Sequence, residues 1–235
     1  MKLKSNLHMH VAGDPEDTIT YTLREATDIA QKLGFSVLAV TPHNARIGDA
    51  SDIAYAAARG ILLILGMERT IEKAHVLILN VSPEADAIRT FEDLAQYKEG
   101  HPESFIIAPH PFFPAGYALG KKFFRNRHLF DAIEFSWFFS KTVNCNIKAE
   151  HAAKTYALPY IATSDTHNIG FLNSGYAIID ADQKNTEKIF DAIRNHAFHN
   201  VCPPKKNSTL VKYMLERYAT QLYGLLKKSL LPKRK

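Results

Sequence analysis

The chain is short of cysteine. Among its 235 residues only Cys145 and Cys202 carry thiols, and they form no CxxC pair. That argues against a disulfide framework or a CxxC redox motif and fits reduced thiols in a cytoplasmic protein. No run of eighteen apolar residues occurs, so no transmembrane segment is expected. The first residues read at once as a strand, which leaves no signal peptide to expect. There is no Walker-type glycine loop, no internal repeat, no low-complexity stretch and no serine- or cysteine-centred nucleophile arrangement. Acidic charge is scarce in one region. From Lys205 onward nine residues are basic and only Glu216 is acidic, whereas the preceding 204 residues carry a net −3. The overall +5 therefore belongs to the tail and not to the body.

What the chain does have is histidine at the ends of apolar runs. His8-Met9-His10 follows Leu3–Leu7, Thr41-Pro42-His43-Asn44 follows Ser36–Val40, Ala108-Pro109-His110-Pro111 follows Phe105–Ile107, and Ser164-Asp165-Thr166-His167 follows Tyr160–Ala162. A fifth run, Ile61–Leu65, leads into Gly66-Met67-Glu68. One histidine in such a place means little; the repetition points to a shared rim. His8 and His10 are two apart and face the same way on a strand, as do Asp165 and His167. Imidazole and carboxylate together are ligands for Zn, Mn or Fe, and a bridging carboxylate can hold two ions.

Between these fragments the apolar runs alternate with helical stretches, which indicates α/β architecture. The patterns predict helices at Thr20–Leu33 (ended by Gly34), Ser51–Arg59, Thr90–Lys98, Asn144–Tyr156 and Thr186–Asn195. They predict strands at Ile61–Met67, His75–Val81, Phe105–Ala108, Ala132–Phe135, Tyr160–Thr163 and Tyr176–Ile179. These are too few βα units for an eight-fold barrel. Pro203-Pro204 marks the end of the barrel region, giving a body of 1–204 and a basic appendage of 205–235. In the appendage, Ser208–Leu231 has apolar residues at Val211, Met214, Tyr218, Leu222, Leu225 and Leu226, the spacing of an amphipathic helix, and Pro232–Lys235 is expected to be a mobile end.

Taken in order, His8-x-His10, Thr41-Pro42-His43-Asn44, Gly66-x-Glu68, Ala108-Pro109-His110-Pro111 and Ser164-Asp165-x-His167 resemble the motifs of the PHP family, the polymerase-and-histidinol-phosphatase metal-dependent phosphoesterases. The resemblance spans roughly residues 3–202, with weaker echoes at Ala132-Ile133-Glu134 and Asn146–Ala149. It implies a distorted (β/α)7 barrel, here followed by the C-terminal basic amphipathic helix. Two departures stand out. Pro42 replaces the family's usual Asp, which changes how His43 is oriented more than how many ligands there are. The family also expects an Asp or His five or six residues after His10, whereas this chain offers Asp14 and Asp17. Asp17 is preferred as the ligand and Asp14 is the alternative; Asp17-Thr18 could instead cap the following helix.

The resemblance implies two or three divalent metal ions (Zn, Mn or Fe). The first would take His8, His10, Glu68 and Asp165. Glu68 would bridge to a second that also takes His110. A third would take His43, His167 and Asp17 or Asp14. The expected nucleophile is a metal-bound hydroxide, with Asp165 and Glu68 as the catalytic pair and Asp165 able to accept the water's proton. His75, where the family often has a histidine, is expected beside the ligands. For the substrate phosphate, Arg69 and the loop cations Lys121, Lys122, Arg125 and Arg127 are candidates, with the nearby phenylalanines 112, 113, 123 and 124 as walls for a base or ring.

The implied reaction is hydrolysis of a small phosphomonoester or nucleotide. The alternatives are a PHP-type nuclease, which the acidic body disfavours, and a metal-binding module without catalysis. The C-terminal helix is expected either to pack on the barrel or a second subunit with its charges solvated, or to dock on an anionic surface through Lys212, Arg217, Lys227, Lys228, Lys233, Arg234 and Lys235.

Overall fold

The backbone of residues 1–230 is described by a computed structural model. Leu231–Lys235, and the side chains of residues 227–230, lie outside the described residues. Strands β1 (Lys2–Asn6), β2 (Val37–Val40), β3 (Leu62–Ile71), β4 (Ala74–Leu79), β5 (Phe105–Ala108), β6 (Ala132–Ser136) and β7 (Tyr160–Thr163) follow one another around a curved sheet in chain order. All neighbours are parallel except β4, which runs antiparallel to both β3 and β5. The barrel closes at its C-terminal rim. There Met9 pairs in parallel with Thr166, and His10 N donates to Thr166 O at 3.0 Å. At the other end β8 (Tyr176–Asp180) pairs antiparallel with β1, and β9 (Phe198–Val201) extends that edge. Asn200 reaches across from β9 to Ala162 N and Tyr160 O at 2.8 Å each, tying the edge to β7.

The helices are α1 (Leu23–Lys32), α2 (Ala50–Ala57), α3 (Phe91–Gly100), α4 (Lys121–Asn126), α5 (Ile147–Tyr156), α6 (Thr186–Arg194) and α7 (Asn207–Leu230). Strand residues sort by alternation into two sets, as a pleated strand requires. Val37, Ala39, Leu77, Leu79, Phe105, Ile107 and Ala132 join the cluster inside the barrel, together with Phe190 and Ile193 of α6. Leu38 and Val40 pack outward with α1 and α2, while Ile78, Ile106 and Ile133 pack outward with α3, α4 and α5. Phe190 stacks on Phe105 at 4.8 Å, so α6 covers the barrel end opposite the histidines.

Several boundaries differ from the sequence reading, each for a local reason. Helix α1 is capped by Thr22 with Glu25 in a capping box, so Asp17 is free for other work. Strand β3 runs past Glu68 and turns back into β4 through Glu72 and Lys73, both at positive φ, a two-residue hairpin with no glycine to announce it. Gly66 sits inside that hairpin where a Cβ would come 2.9 Å from Ile78 O and 3.0 Å from Thr41 Cγ2. The Gly of Gly-x-Glu is therefore a matter of close strand approach. Strand β9 and the six-residue α4 carry too short and too mixed a pattern to be read in advance.

Helix α7 packs on the barrel, but not through the stripe that its spacing suggested. Leu210 and Tyr213 are buried against Trp137, with Phe138 and Phe171 around them. Gly224 presses so closely on Thr18 that an added Cβ would collide with it. Val211, Met214, Tyr218, Leu222 and Leu225 remain exposed. The inward face is mixed, because Arg217 and Gln221 find a half-buried partner there in Asp17. No helix among the described residues is long and apolar enough to cross a membrane.

Candidate metal centre

Every motif histidine and carboxylate arrives at the C-terminal rim. His8 and His10 extend from β1, His43 follows β2, Glu68 and His75 lie on the β3–β4 hairpin, His110 follows β5, and Asp165 and His167 follow β7. Three of these connections are strained. Asn44, His110 and Asp165 have φ of 49°, 28° and 40°, the left-handed region that non-glycine residues avoid. Such strain persists where surrounding contacts hold it. Asn44 is held by accepting hydrogen bonds from Thr70 N at 2.9 Å and Arg69 Nη1 at 3.1 Å. His110 N donates to Glu134 at 2.6 Å.

The histidine orientations are fixed from behind. His8 Nδ1 is 2.8 Å from Glu134 Oε1, His10 Nδ1 is 2.8 Å from Asp14 Oδ2, and His43 Nδ1 is 3.1 Å from the same carboxylate. A carboxylate on Nδ1 selects the tautomer whose Nε2 lone pair faces forward. All three Nε2 atoms then converge on one oxygen, Glu68 Oε2, at 3.3, 3.2 and 3.2 Å. Glu134 also accepts from Thr163 Oγ1, which anchors it between β6 and β7.

Four donors form the tightest set: His8 Nε2, His10 Nε2, Glu68 Oε2 and Asp165 Oδ1. His8 Nε2 and His10 Nε2 are 3.2 Å apart, both lie 3.2–3.3 Å from Glu68 Oε2, and Asp165 Oδ1 lies 3.4 and 3.3 Å from them. A tetrahedral zinc shell with bonds of about 2.0–2.1 Å has donor–donor edges of about 3.3–3.4 Å. The second oxygen of Glu68 faces the other way, to His75 Nδ1 at 2.8 Å and His110 Nε2 at 3.1 Å. Glu68 is thus placed to bridge two positions. His10, His43 and His167 make a further group, as do Glu16, His43 and His75.

The donor set fits divalent ions by a second test. Asp165 Oδ1 and His167 Nε2 are buried and make no hydrogen bond, although buried polar atoms nearly always find one. His167 Nε2 is 2.8 Å from Asp17 Oδ2 but out of line for a hydrogen bond. Each belongs to a cluster of potential ligands, Asp165 with His8, His10 and Glu68, and His167 with His10 and His43, and a bound ion would satisfy such atoms.

Charge follows the same plan. Burial opposes the charged form of His8, yet the carboxylates of Asp165, Glu68 and Glu134 outweigh it and raise its pKa to about 10. Burial alone would raise Glu68 and Asp165, but His8 and its neighbours hold both well below the usual carboxylate range. His167 is pushed down to about 4 by burial and by His10, so it is neutral at pH 7. A metal needs neutral imidazoles, so at pH 7 an entering ion must expel the proton that the carboxylates keep on His8. Zinc binding to metal-free protein should therefore release at least one proton and weaken as pH falls. Calorimetric titration in two buffers of different ionisation heat reads this as a difference in binding enthalpy; equal enthalpies would contradict it.

Not every residue singled out in the sequence reaches the cluster. Asp14 and Asp17 stand beside the donor groups: Asp14 orients His10 and His43, while Asp17 is held by Arg217 Nη2 and Gln221 Nε2 at 2.7 Å each. Where the family has Asp before the second-segment histidine, Pro42 instead accepts a hydrogen bond from Glu68 N at 3.0 Å, and Asp14 takes the backbone N–H of His43 at 2.9 Å. His75 is drawn into the donor set itself. Arg69, adjacent to Glu68 on a strand, points to the opposite face and donates to Ile88 O and Asp86 O. Lys122 reaches Glu72 O, and Lys121 and Arg125 are exposed on α4; none of these cations lines the cavity that opens onto the metal centre. The phenylalanines divide: Phe112, Phe123 and Phe124 pack with the outer helices, and Phe113 lines the cavity.

That cavity, about 540 Å³, has His110 and Asp165 in its floor. Its walls are Phe113, Tyr117, Trp137 and Phe138 on one side and α7 on the other, with Arg217 among the α7 residues. Arg217 was the residue that sequence reasoning missed. In the sequence it belongs to the tail's basic residues, either solvated or docking on an anionic surface, and only the long-range contact with Asp17 reveals its position.

Residues 144–198 match the family described as PHP-associated. None of the curated proteins compared matches the chain at a significant level. Among solved structures, the chain is similar to a two-domain protein containing a predicted PHP-like metal-dependent phosphoesterase from Bacteroides vulgatus. The two share 17% identity over 92% of this chain and 70% of that one, with a TM-score of 0.67. It is similar to PsfC from Pseudomonas syringae at 16% identity over 98% and 99% of the two chains, with a TM-score of 0.64. It is also similar to the lesion-specific endonuclease PfuEndoQ from Pyrococcus furiosus at 16% identity, over 83% of this chain and 56% of that one, with a TM-score of 0.58. The ordered motifs and the matched PHP-associated segment resemble the PHP family, and the solved structures share this chain's fold.

Proposed function

We propose that the chain is a metal-dependent phosphoesterase that hydrolyses a small phosphomonoester or nucleotide with two or three divalent ions. The observation that carries this reading is the set of near-tetrahedral edges, 3.2–3.4 Å, among His8, His10, Glu68 and Asp165, with Glu68 turned towards His110 as well. Divalent ions, when bound, neutralise phosphate oxygens, make water acidic enough to attack at neutral pH and stabilise the departing oxygen. The chain's own groups do the rest. His8, His10, Glu68, Asp165, His110, His43 and His167 are the proposed ligands, with His75 beside Glu68. Asp165 lines the cavity beside the donor set and its carboxylate can take the proton of the attacking water. Asp17, preferred as a ligand in the sequence, lies 2.8 Å from His167 Nε2 and also accepts from Arg217 Nη2 at 2.7 Å. The histidine orientations set by Glu134 and Asp14 cost no rearrangement during the reaction.

The test is a panel of phosphorylated small molecules offered to zinc-loaded and manganese-loaded protein. Phosphate release that stops with a chelator and returns with metal supports the reading. Stoichiometric metal with no hydrolysis of any ester would make the chain a metal-binding module instead.

A nuclease is the second reading, favoured by the similarity to PfuEndoQ. The net −3 of the body, and a largely apolar, aromatic cavity where strand-binding proteins have a basic groove, weigh against it. Nucleotide release from single-stranded DNA at rates matching those on phosphomonoesters would reverse the order.

A further inference from the structure

We infer that α7 completes the substrate site: Arg217 takes the anionic oxygens of the ester, and the aromatic cavity beside it takes an aromatic alcohol moiety. The inference rests on the phosphoesterase reading above and names the substrate class for that site.

Three observations meet here. First, position: Arg217 shares a cavity with Asp165 and His110, and Asp17 joins its guanidinium to His167 through contacts of 2.7 and 2.8 Å. Arg217 is the cation that lines this cavity among the described residues. A guanidinium has five N–H donors in a planar fork, and Asp17 is contacted through Nη2 at 2.7 Å, so the side chain is aimed while donors remain for a phosphate. Its side chain is one-third exposed, enough for a ligand to reach it.

Second, the walls: Phe113, Tyr117, Trp137 and Phe138 surround the same space with little polar surface between them. Tyr117 stacks on His75 with rings 4.7 Å apart, so the aromatic wall begins at the metal centre itself. A sugar or polyol would strip its hydroxyls of water against such a wall without recovering hydrogen bonds, whereas a flat ring gains offset or edge contacts.

Third, rigidity: Tyr213 meets Trp137 edge-on at 4.9 Å and Leu210 is buried beside it, which fixes α7 and hence Arg217 over the cavity.

Trp137 is the chain's single tryptophan and lines the cavity, so its fluorescence reports occupancy directly. The experiment titrates zinc-loaded, full-length protein with phenylphosphonate and with methylphosphonate, neither of which carries a hydrolysable ester. Phenylphosphonate should bind at least about tenfold more tightly, the return on one buried ring. Arg217→Gln should weaken both ligands by about tenfold or more. Arg217→Lys, which keeps the charge and the helix, should fall between, because ammonium lacks the bidentate fork. Phe113→Ala should weaken phenylphosphonate and leave methylphosphonate unchanged. Equal binding of the two phosphonates overturns the aromatic assignment; Arg217→Lys and Arg217→Gln both binding like wild type overturns the clamp. Turnover is not read, so failure of the phosphoesterase reading, seen as no hydrolysis of any ester, is told apart from failure of the pocket.

Discussion

Replacing Glu68 with alanine should lower kcat/KM for the best phosphomonoester by about 10³-fold or more, the equivalent of the several kcal/mol that ions contribute to the transition state. The reason is geometric. One oxygen of Glu68 is shared by His8, His10 and His43, and the other by His75 and His110, so a single carboxylate joins both halves of the cluster. Its loss removes a ligand from two positions and also uncovers imidazoles that it neutralises. Metal content, measured on the same preparation, should fall by at least one ion per chain. Asp165→Ala should match the loss of rate, because Asp165 Oδ1 closes the four-donor set and is the proposed proton acceptor. Full activity in either variant would remove the mechanism.

The second large effect is expected from residues that touch no ion. Asp14→Ala should weaken metal affinity by about 10–100-fold, the usual consequence of losing the carboxylate behind a ligating histidine. Asp14 stands behind two, His10 and His43, and also accepts from the backbone of His43, Glu16 and Asp17. Glu134→Gln should act in the same direction but less, since the amide oxygen still accepts from His8 Nδ1 or from His110 N but not from both, and the charge that holds the His8 tautomer is lost. Both variants should regain activity at higher metal concentration. A positioning role predicts that recovery; a merely structural role predicts loss of folded protein that added metal does not restore.

Much of this centre was legible before any coordinates. His8, His10, His43, Glu68, His110, Asp165 and His167 are marked by strand ends, and strand ends on one barrel rim meet because parallel strands bring them there. Continuous apolar runs likewise mark β2 and β5 to within a residue or two of their ends. What was not legible depends on contacts distant in sequence. Spacing only slightly prefers Asp17 to Asp14; what separates them is what reaches them, His10 and His43 at Asp14, and His167 together with Arg217, 200 residues away, at Asp17. Arg69 looked like a clamp because it adjoins Glu68, yet strand pleating sends neighbours to opposite faces. The face of α7 that packs is not the apolar stripe: Asp17 draws Arg217 and Gln221 inward, while Met214 and Tyr218 line the cavity and Val211, Leu222 and Leu225 stay exposed.

The central claim is that these residues form a working di- or trinuclear hydrolytic centre. The measurement that tests it most directly is metal content and phosphate release on one preparation of the full chain, before chelation, after chelation and after zinc or manganese is restored. The account predicts two or three ions per chain, hydrolysis of a small phosphomonoester that vanishes with the ions, and its return when they are replaced. A chain that holds its ions in full and hydrolyses no phosphomonoester, or that hydrolyses one equally well without them, would contradict it.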